Sequence, residues 1–262
     1  RYTLVYNGEI YNHNDIKKKL QLENKFNCIG HSDTEILLNS IEVWGLKKTL
    51  SLIYGMYAFA LHDQKENKFY LVRDKIGEKP LYYTKQNNEV IFSSEIRPIC
   101  GLKRFQKKLN LNQLSNYFKY NYIPSPHTIF ENVYKLNPGS FIEIDGQNLN
   151  IKNEKYFDIK KTLTNKNNQK MEFGDITNLS DELISKVINE QSISDVTLGS
   201  FLSGGIDSSI VTAYLQRNSL KKISTFNVSY NDMNYDESKY ASEISKILGT
   251  EHETLNIDDK II

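Results

Sequence analysis

The sequence predicts two domains of different fold class, an α+β domain followed by an α/β domain with a parallel sheet. From residue 1 to about residue 145, most segments alternate between apolar and polar residues, as half-buried strands do. After residue 175 the pattern changes to strand, helix, strand, helix, which is typical of right-handed units on a parallel sheet. The intervening segment is rich in Lys and Asn and poor in apolar residues, the composition of a linker. We therefore predict domains at 1–150 and 176–262, joined by a linker at 151–175.

The first domain is predicted to combine a largely antiparallel sheet with several helices. Its predicted strands cover residues 4–6, 56–62, 68–73, 80–83, 90–92 and 140–144. Its predicted helices cover residues 15–22, 33–44 and 111–121, with Gly45 ending the second. Asp33 and Asn110 stand where N-cap residues are expected. Arg73 and Asp74 are interpreted as a local ion pair that shapes a turn.

The second domain is predicted to alternate helices with the strands of a parallel sheet. The helices cover about 178–190, the stretch after the turn at 203–208, and 237–248, and the strands cover 198–202, 223–230 and 253–257. Gly249 is the predicted end of the last helix. Ligands of such sheets bind beyond the carboxyl ends of the strands, so the residues just after 202 are the first candidates for a binding site.

The composition indicates an ordinary globular protein with small, local partners. The chain has 262 residues, of which 39% are hydrophobic and 25% charged, enough for two cores. A net charge of +1, with no basic face interleaved with aromatics, argues against nucleic acid, and no apolar run is long enough for a membrane helix. Cys28 and Cys100 stand far apart without metal-ligand spacing, which favours a reducing compartment and predicts a cytoplasmic protein. The oligomeric state is left open, with a homodimer as one option.

The stretch FLSGGIDSS, residues 201–209, has the composition of an anion-binding turn. Gly204 and Gly205 would let the backbone turn tightly and approach a ligand, while Ser203 and Ser208 offer hydroxyl donors. N–H groups at the start of the following helix would point at the same place, which predicts a phosphate site. Asp207 would then hold a magnesium ion that bridges to a polyphosphate. On spacing alone an alternative is equally favoured, with Asp207 or Ser203 as an ordinary N-cap and the glycines as a simple turn.

A second polar stretch, VYNGEIYN at residues 5–12, contains an Asn-Gly pair between apolar residues. Such a pair is a strong local signal for a hairpin, so Asn7 and Gly8 are predicted to form a turn between two strands. Asp33, taken alone, indicates only a helix cap.

Seven motifs in one order connect these stretches to a known family. SDVTLGSFLSGGIDSSIVTAYL resembles the pyrophosphate-loop motif of the N-type ATP pyrophosphatases, and its flanks resemble those of the glutamine-hydrolysing asparagine synthetases. The other six are VYNGEIYNH, GHSDTEILL, YGMYAFALHD, VRDKIGEKPLYY, FSSEI and KLNPGS. Together they cover almost the whole chain. The resemblance implies an N-terminal-nucleophile glutaminase domain, a four-layer αββα sandwich, joined to an α/β ATP pyrophosphatase domain of the adenine nucleotide alpha hydrolase-like type.

The resemblance also implies roles for individual residues. Asn7 and Gly8 would form the oxyanion hole of the glutaminase site, Glu9 would help to hold glutamine, and Asp33 would bind its α-amino group. The implied ATP-binding residues are Leu202, Ser203, Gly204, Gly205, Asp207, Ser208 and Val228. Asp207 stays the candidate for magnesium, and Val228 would pack at the adenine end, with a plain core position in the strand as its alternative. The implied cofactors are therefore ATP and Mg.

The implied reaction is glutamine-dependent synthesis of asparagine. Glutamine is hydrolysed through a thioester, and the ammonia reaches an aspartyl-adenylate made from aspartate and ATP. The products are asparagine, glutamate, AMP and pyrophosphate. One alternative is a paralogue that amidates a sugar acid or another carboxylate in surface polysaccharide synthesis. An alternative of another class is a catalytically inactive homologue that binds a nucleotide and acts as a regulator.

The sequence departs from the family pattern in two places. The family nucleophile is an N-terminal Cys, followed by an arginine that grips the substrate carboxylate, and neither precedes Arg1. The second pyrophosphate loop, the catalytic lysine and most of the acceptor pocket do not occur before Ile262. We expect an internal piece of a longer synthetase, inactive by itself because amide hydrolysis by this mechanism needs the thiol. The competing explanation is a degenerate homologue that has kept only the folds.

Overall fold

A computed structural model describes residues 1–23, 29–86, 88–164, 171–230 and 236–257. The chain divides into two compact units, Arg1–Asn167 and Asn168–Ile262. Cys28 lies outside the described residues, and Cys100 is a free thiol. Among the described helices, none combines the length and the apolar character that crossing a bilayer requires.

The first unit contains eight strands and six helices in the part that the structure describes. The strands are β1 (Tyr2–Ile10), β2 (Gly55–Asp63), β3 (Lys68–Arg73), β4 (Tyr82–Gln86), β5 (Glu89–Ser93), β6 (Val133–Lys135), β7 (Ser140–Asp145) and β8 (Ile151–Lys155). The helices are α1 (His13–Leu22), α2 (Asp33–Trp44), α3 (Leu46–Leu52), α4 (Ile96–Gly101), α5 (Leu111–Tyr120) and α6 (Ile159–Thr164). All strand pairs are antiparallel, in a five-stranded sheet of order β1-β2-β3-β7-β8 and a three-stranded sheet of order β5-β4-β6.

Three hydrophobic cores lie between the layers of this unit. Alternate residues of the large sheet face opposite ways, so Phe59 packs against α1–α3 while its neighbour Ala58 packs towards the small sheet. A third core, around Ile99 and Val133, joins the small sheet to α4. The layers therefore run helix, sheet, sheet, helix, which confirms the αββα class. Each fully buried apolar side chain contributes about 1.5–3 kcal/mol to holding these layers together.

Two predicted helix starts differ in detail from the structure. Ser32, not Asp33, is the N-cap of α2, because its side chain accepts the N–H of Thr34 at 3.2 Å. Asp33 is the first helical residue, so its carboxylate is free for other partners. Asn110 does occupy the N-cap position of α5, but its side chain makes no capping hydrogen bond.

The segment predicted as linker contributes a strand to the first unit. Residues Ile151–Lys155 form β8, which pairs with β7 at the edge of the large sheet. An edge strand with one exposed face needs few apolar residues, and β8 is mostly polar. Its composition is therefore close to that of a linker.

The second unit is a small α/β structure. Its elements are α7 (Phe173–Gln191), β9 (Gly199–Phe201), α8 (Ile206–Arg217), β10 (Ser224–Tyr230), α9 (Ser238–Leu248) and β11 (Glu251–Ile257). The three strands are parallel in the order β11-β10-β9, as the alternation of strands and helices predicts. Gly249 ends α9 in the left-handed conformation, with φ of 74°. The segment 202–205 follows the carboxyl end of β9, where ligands of parallel sheets bind.

Candidate functional site

Asn7 and Gly8 lie inside β1 and not in a turn, so the predicted hairpin is wrong. The strand continues to Ile10 and pairs with β2 over its whole length. Gly8 has φ of +149°, and a Cβ there would lie 2.1 Å from the carbonyl oxygen of Met56. Glycine is thus needed for the close approach of two backbones. The local Asn-Gly rule cannot detect this reason, because it depends on a strand about fifty residues away.

The N–H of Gly8 points to the open edge of the large sheet. Gly8 lies opposite Tyr57 in the register, and the backbone N–H and carbonyl of Tyr57 are both hydrogen-bonded to Asp74. Its N–H donates to the Asp74 carboxylate at 3.3 Å, and its carbonyl accepts the N–H of Asp74 at 2.8 Å. Gly8 and Tyr57 therefore form a non-hydrogen-bonded pair, which turns the N–H of Gly8 away from β2. Since β1 is the edge strand among the described strands, this donor faces outward.

Asp33 is held against the same edge of β1. Its Oδ2 accepts the N–H of Ile10 at 3.0 Å and the hydroxyl of Tyr6 at 2.7 Å. Ile10 lies two residues after Gly8, so their N–H groups point the same way, about 7 Å apart. The carboxylate also lies in the first turn of α2, where the helix dipole favours a negative charge. The structure thus brings Asp33 next to the Asn7-Gly8-Glu9 stretch.

Asn7 and Glu9 complete the predicted glutamine-binding set on this strand. The side-chain amide of Asn7 is exposed and donates to the hydroxyl of Ser94 at 3.1 Å, on the face opposite Tyr6. Glu9 is half-buried. Burial, together with the carboxylates of Glu78 and Glu9, raises the pKa of Tyr11 to about 12. A ligand lying along the open edge of β1 can therefore meet groups from both faces of the strand.

Glu35 fixes the loop that leads into Asp33, a role that the sequence interpretation did not include. Its two carboxylate oxygens accept the N–H groups of Ile29 and Gly30, each at 2.7 Å. These bonds lower the pKa of Glu35 below its ordinary value. Lys17 adds a hydrogen bond to the carbonyl of Gly30 at 3.2 Å. The only sequence signal was the position of Glu35 inside the motif GHSDTEILL.

Arg73 and Asp74 do not form the ion pair that we predicted, since both side chains bind backbone groups and, within the described residues, no guanidinium nitrogen of Arg73 lies within 4 Å of a carboxylate oxygen of Asp74. Arg73 donates instead to the carbonyls of Gly77, Lys79 and Leu136, at 2.6, 2.7 and 2.7 Å. Asp74 is fully buried, and its oxygens accept backbone N–H groups. Those within the following loop belong to residues Ile76, Gly77, Glu78 and Lys79. The two side chains therefore clamp this loop separately, through its main chain.

In the second unit, the predicted phosphate loop is closed by its own serines. The hydroxyls of Ser203 and Ser208 are 3.0 Å apart, and the Ser203 oxygen accepts the N–H of Gly205 at 3.3 Å. Gly205 is the N-cap of α8, so the alternative is wrong in assigning the N-cap to Asp207 or Ser203, although the two glycines do lie between β9 and α8, as it predicted. Asp207 lies exposed in the first turn of α8. Leu202 is buried, and its N–H donates to the carbonyl of Phe226 at 2.9 Å.

The two glycines of the loop have different functions. Gly204 has φ of +81°, and a Cβ there would lie 2.6 Å from the Cβ of Tyr240 and 2.9 Å from the N of Ala241. Its close approach is therefore to α9, whereas the sequence predicted close approach to a ligand. Gly205 has ordinary φ of −70°, and the one described atom within 4 Å of a Cβ there would be the hydroxyl oxygen of Ser203, at 3.3 Å. The space beside Gly205 stays open at the start of α8.

Val228 lies on β10, beside a buried amide that has an unused acceptor. Val228 is half-buried and pairs in register with Leu255 of β11. The neighbouring Asn227 is 8% exposed, and its Nδ2 donates to the carbonyl of Leu202 at 3.2 Å. Its Oδ1 has no hydrogen-bond donor among the described residues. This amide ties β10 to the residue that precedes Ser203.

A magnesium ion fits the loop only if phosphate supplies most of its ligands. No three His, Cys, Asp or Glu side chains converge as a metal site within the described ranges. Mg²⁺ is usually held by one or two carboxylates together with substrate phosphates. The exposed carboxylate of Asp207, at the start of α8, suits that arrangement. Asp207 is the residue that would hold the ion, which there would neutralise phosphate charge.

The chain matches two known protein families. Residues 1–157, more than half of the chain, match the family described as glutamine amidotransferase domain. Residues 180–261 match the family described as asparagine synthase. The chain belongs to the glutamine-hydrolysing asparagine synthetase family. In this family member, the first match lies within the first compact unit and the second match within the second unit.

Several relatives of this family member are named asparagine synthetases. It is 32% identical over 252 residues to putative asparagine synthetase (glutamine-hydrolyzing) 2 of Methanocaldococcus jannaschii, covering 95% of this chain and 47% of that protein. It is 29% identical over 285 residues to asparagine synthetase (glutamine-hydrolyzing) 3 of Bacillus subtilis, covering 99% and 43%. The solved glutamine phosphoribosylpyrophosphate amidotransferase of B. subtilis, complexed with ADP and GMP, aligns at TM-score 0.39 and 17% identity, over 97% of this chain and 45% of that one. The chain thus spans about half the length of the curated relatives that it matches.

Proposed function

We propose that the protein is a glutamine-dependent asparagine synthetase. Glutamine hydrolysis supplies ammonia to an aspartyl-adenylate made from aspartate and ATP, and the products are asparagine, glutamate, AMP and pyrophosphate. The observation that carries the proposal is the position of the Asp33 carboxylate at the open edge of β1, where it accepts the N–H of Ile10. The relatives named asparagine synthetase support aspartate as the acceptor.

In the proposed glutaminase site, glutamine lies along the edge of β1. The Asp33 carboxylate binds its α-ammonium group, and Glu9 helps to hold the substrate. The outward N–H of Gly8 and the amide of Asn7 stabilise the oxyanion that develops on the side-chain carbonyl. Each such donor lowers the barrier by roughly 3 kcal/mol. The spacing of about 7 Å between successive outward N–H groups of the strand is compatible with the length of a glutamine molecule.

In the proposed ATP site, phosphate lies against the loop after β9. The free N–H groups of the first turn of α8 and the hydroxyls of Ser203 and Ser208 are its donors. Asp207 holds the magnesium ion, and Val228 packs at the adenine end. Leu202, Gly204 and Gly205 give the loop its path. The aspartate carboxylate attacks the α-phosphate of ATP, pyrophosphate leaves, and ammonia then displaces AMP.

The test uses the native protein and separates the two half-reactions. Glutaminase activity is measured as glutamate released, and adenylation as pyrophosphate exchange into ATP with aspartate or a panel of other carboxylates. Asp33→Asn should abolish glutaminase activity and leave the aspartate-dependent exchange intact. Asp207→Asn should abolish exchange and leave glutaminase activity intact. Asp175→Asn, in the first turn of α7, is the matched control and should change neither.

The outcomes decide between the functions considered. Exchange with another carboxylate but not with aspartate would replace asparagine synthesis by amidation of that acid. ATP binding without exchange for any acid would favour the regulatory homologue and overturn the proposal. The cytoplasmic location predicted from the cysteines, and the homodimer, stay predictions.

A further inference from the structure

The two oxygens of the Asp33 carboxylate have unequal surroundings. Oδ2 accepts two strong donors, the Tyr6 hydroxyl at 2.7 Å and the Ile10 N–H at 3.0 Å. Among the residues that the structure describes, Oδ1 has one longer hydrogen bond, from the hydroxyl of the adjacent Thr34 at 3.3 Å. We propose that Tyr6 is a positioning residue, which occupies Oδ2 so that Oδ1 is the oxygen that binds the α-ammonium of glutamine. This inference rests on the proposed function.

The Tyr6 hydroxyl is held in place by the packing of its ring. Tyr2, Leu4 and Tyr6 are alternate residues of β1, and all three pack against the core beneath α1–α3. The ring of Tyr6 therefore lies in the hydrophobic layer, and its hydroxyl reaches the first turn of α2. A tyrosine side chain has few rotatable bonds, so a packed ring fixes the position of its oxygen closely. Burial and the Asp33 carboxylate raise the pKa of Tyr6 well above its ordinary value, so the hydroxyl keeps its proton.

Two donors on one oxygen determine the orientation of the carboxylate. With the Ile10 N–H alone, the Asp33 group could rotate about its last bond, because that torsion has a broad energy minimum. The Tyr6 hydroxyl approaches the same oxygen from the side chain of another residue, and the pair defines the carboxylate plane. A carboxylate with one oxygen occupied offers the other to one cation. That arrangement suits a single ammonium group better than a two-pronged guanidinium.

The inference predicts an effect limited to ligands that carry the α-amino group. Tyr6→Phe keeps the packed ring and removes only the hydroxyl. We expect the KM for glutamine to rise about tenfold, the effect of losing one hydrogen bond to a charged group, with kcat changed less than about twofold. The competitor 4-carbamoylbutanoate lacks only the α-amino group of glutamine, so its inhibition constant should stay unchanged.

The experiment is run on the native protein, with Tyr2→Phe as the matched control. Tyr2 lies on the same face of the same strand, so its hydroxyl can be removed without touching Asp33, and neither constant should change. If Tyr6→Phe leaves the KM for glutamine unchanged, the inference is wrong and the proposed function stands. If glutamine and the competitor weaken equally, Tyr6 has a general structural role and the inference is again wrong. Folded wild type that does not hydrolyse glutamine overturns the proposed function itself, before any variant is compared.

Discussion

Gly8 of β1 lies directly opposite Tyr57 of β2, and a Cβ built on Gly8 would lie 2.6 Å from the Tyr57 Cα. The carbonyl oxygen of Met56 would be nearer still, at 2.1 Å. Both are backbone atoms, which cannot rotate away as a side chain can. The sheet itself therefore requires glycine here, independently of the oxyanion role that we propose for its N–H.

Replacing Gly8 by alanine should weaken the pairing of β1 with β2. The added methyl group forces these backbones apart at a position with positive φ, and we expect a loss of about 2–4 kcal/mol in the free energy of unfolding of the first unit. Hydrogen exchange of β1 and β2 amides measures this locally. Gly101→Ala is the control, since a Cβ there has no atom of the described residues within 4 Å. Equal protection in the two variants would contradict the argument.

The buried carboxylate of Asp74 should be essential to the loop that follows it. In Asp74→Asn, one acceptor becomes an NH₂ group that faces backbone N–H donors, so those donors lose their partner inside the protein. We expect a loss of about 2–4 kcal/mol, seen as earlier urea unfolding and faster exchange at residues 76–79. Asp158→Asn, an isosteric change at a carboxylate near the surface, should cost much less. Similar urea midpoints for both variants would show that Asp74 does not hold the loop.

The two loop glycines should respond differently to alanine. Gly204→Ala puts a methyl group against the backbone of α9 at positive φ, so the second unit should lose about 2–4 kcal/mol of stability. In Gly205→Ala, the added methyl group contacts the hydroxyl oxygen of Ser203 and no other atom of the described residues, so folding should be little changed. It nevertheless narrows the open space at the start of α8, and ATP affinity should fall. Calorimetric titration with ATP, beside hydrogen exchange of α9, measures both effects. Intact folding in Gly204→Ala would refute the packing argument.

The stability of the second unit should decrease as the pH falls below neutrality. Burial lowers the pKa of His252 below its ordinary value of about 6.5, so the unfolded chain binds this proton more readily than the folded unit. The contribution is fully present above pH about 6.5 and is lost as the pH falls through the lower, folded value. His252→Gln should make stability less dependent on pH between about 7 and 5. An NMR titration midpoint for His252 at or above that of a flexible peptide would contradict this.

The contacts of Asp33 show where sequence reasoning is strong and where it stops. The helix 33–44 and its end at Gly45 follow from apolar spacing and a terminal glycine, which are local properties, and the structure confirms them. The partner of Asp33 is Tyr6, twenty-seven residues earlier, and no local pattern connects the two. The N-cap of α2 is Ser32 and not the predicted Asp33, and this error also comes from a long-range contact. Both residue types are good caps, and the tertiary contact of Asp33 decides between them.

The errors elsewhere also concern long-range partners. The Asn-Gly rule predicts a turn because it considers only neighbours in the chain, while the backbone of Met56 decides the conformation of Gly8. Arg73 and Asp74 are adjacent and opposite in charge, so an ion pair was the natural expectation. A buried arginine must satisfy several donors, and the carbonyls of a neighbouring loop supply acceptors in better positions.

Arg73 and Asp74 fix the backbone path of the loop at residues 76–79 independently of most of its side chains. Both residues bind main-chain groups, and within the described ranges no hydrogen bond or ion pair involves the outward side chains of Ile76 and Glu78. Ile76 is 63% exposed, and Glu78 is exposed as well. Gly77 between them is constrained, with φ of +79°. Ile76 and Glu78 can therefore be substituted, in evolution or by protein engineering, without a change in the backbone path of the loop.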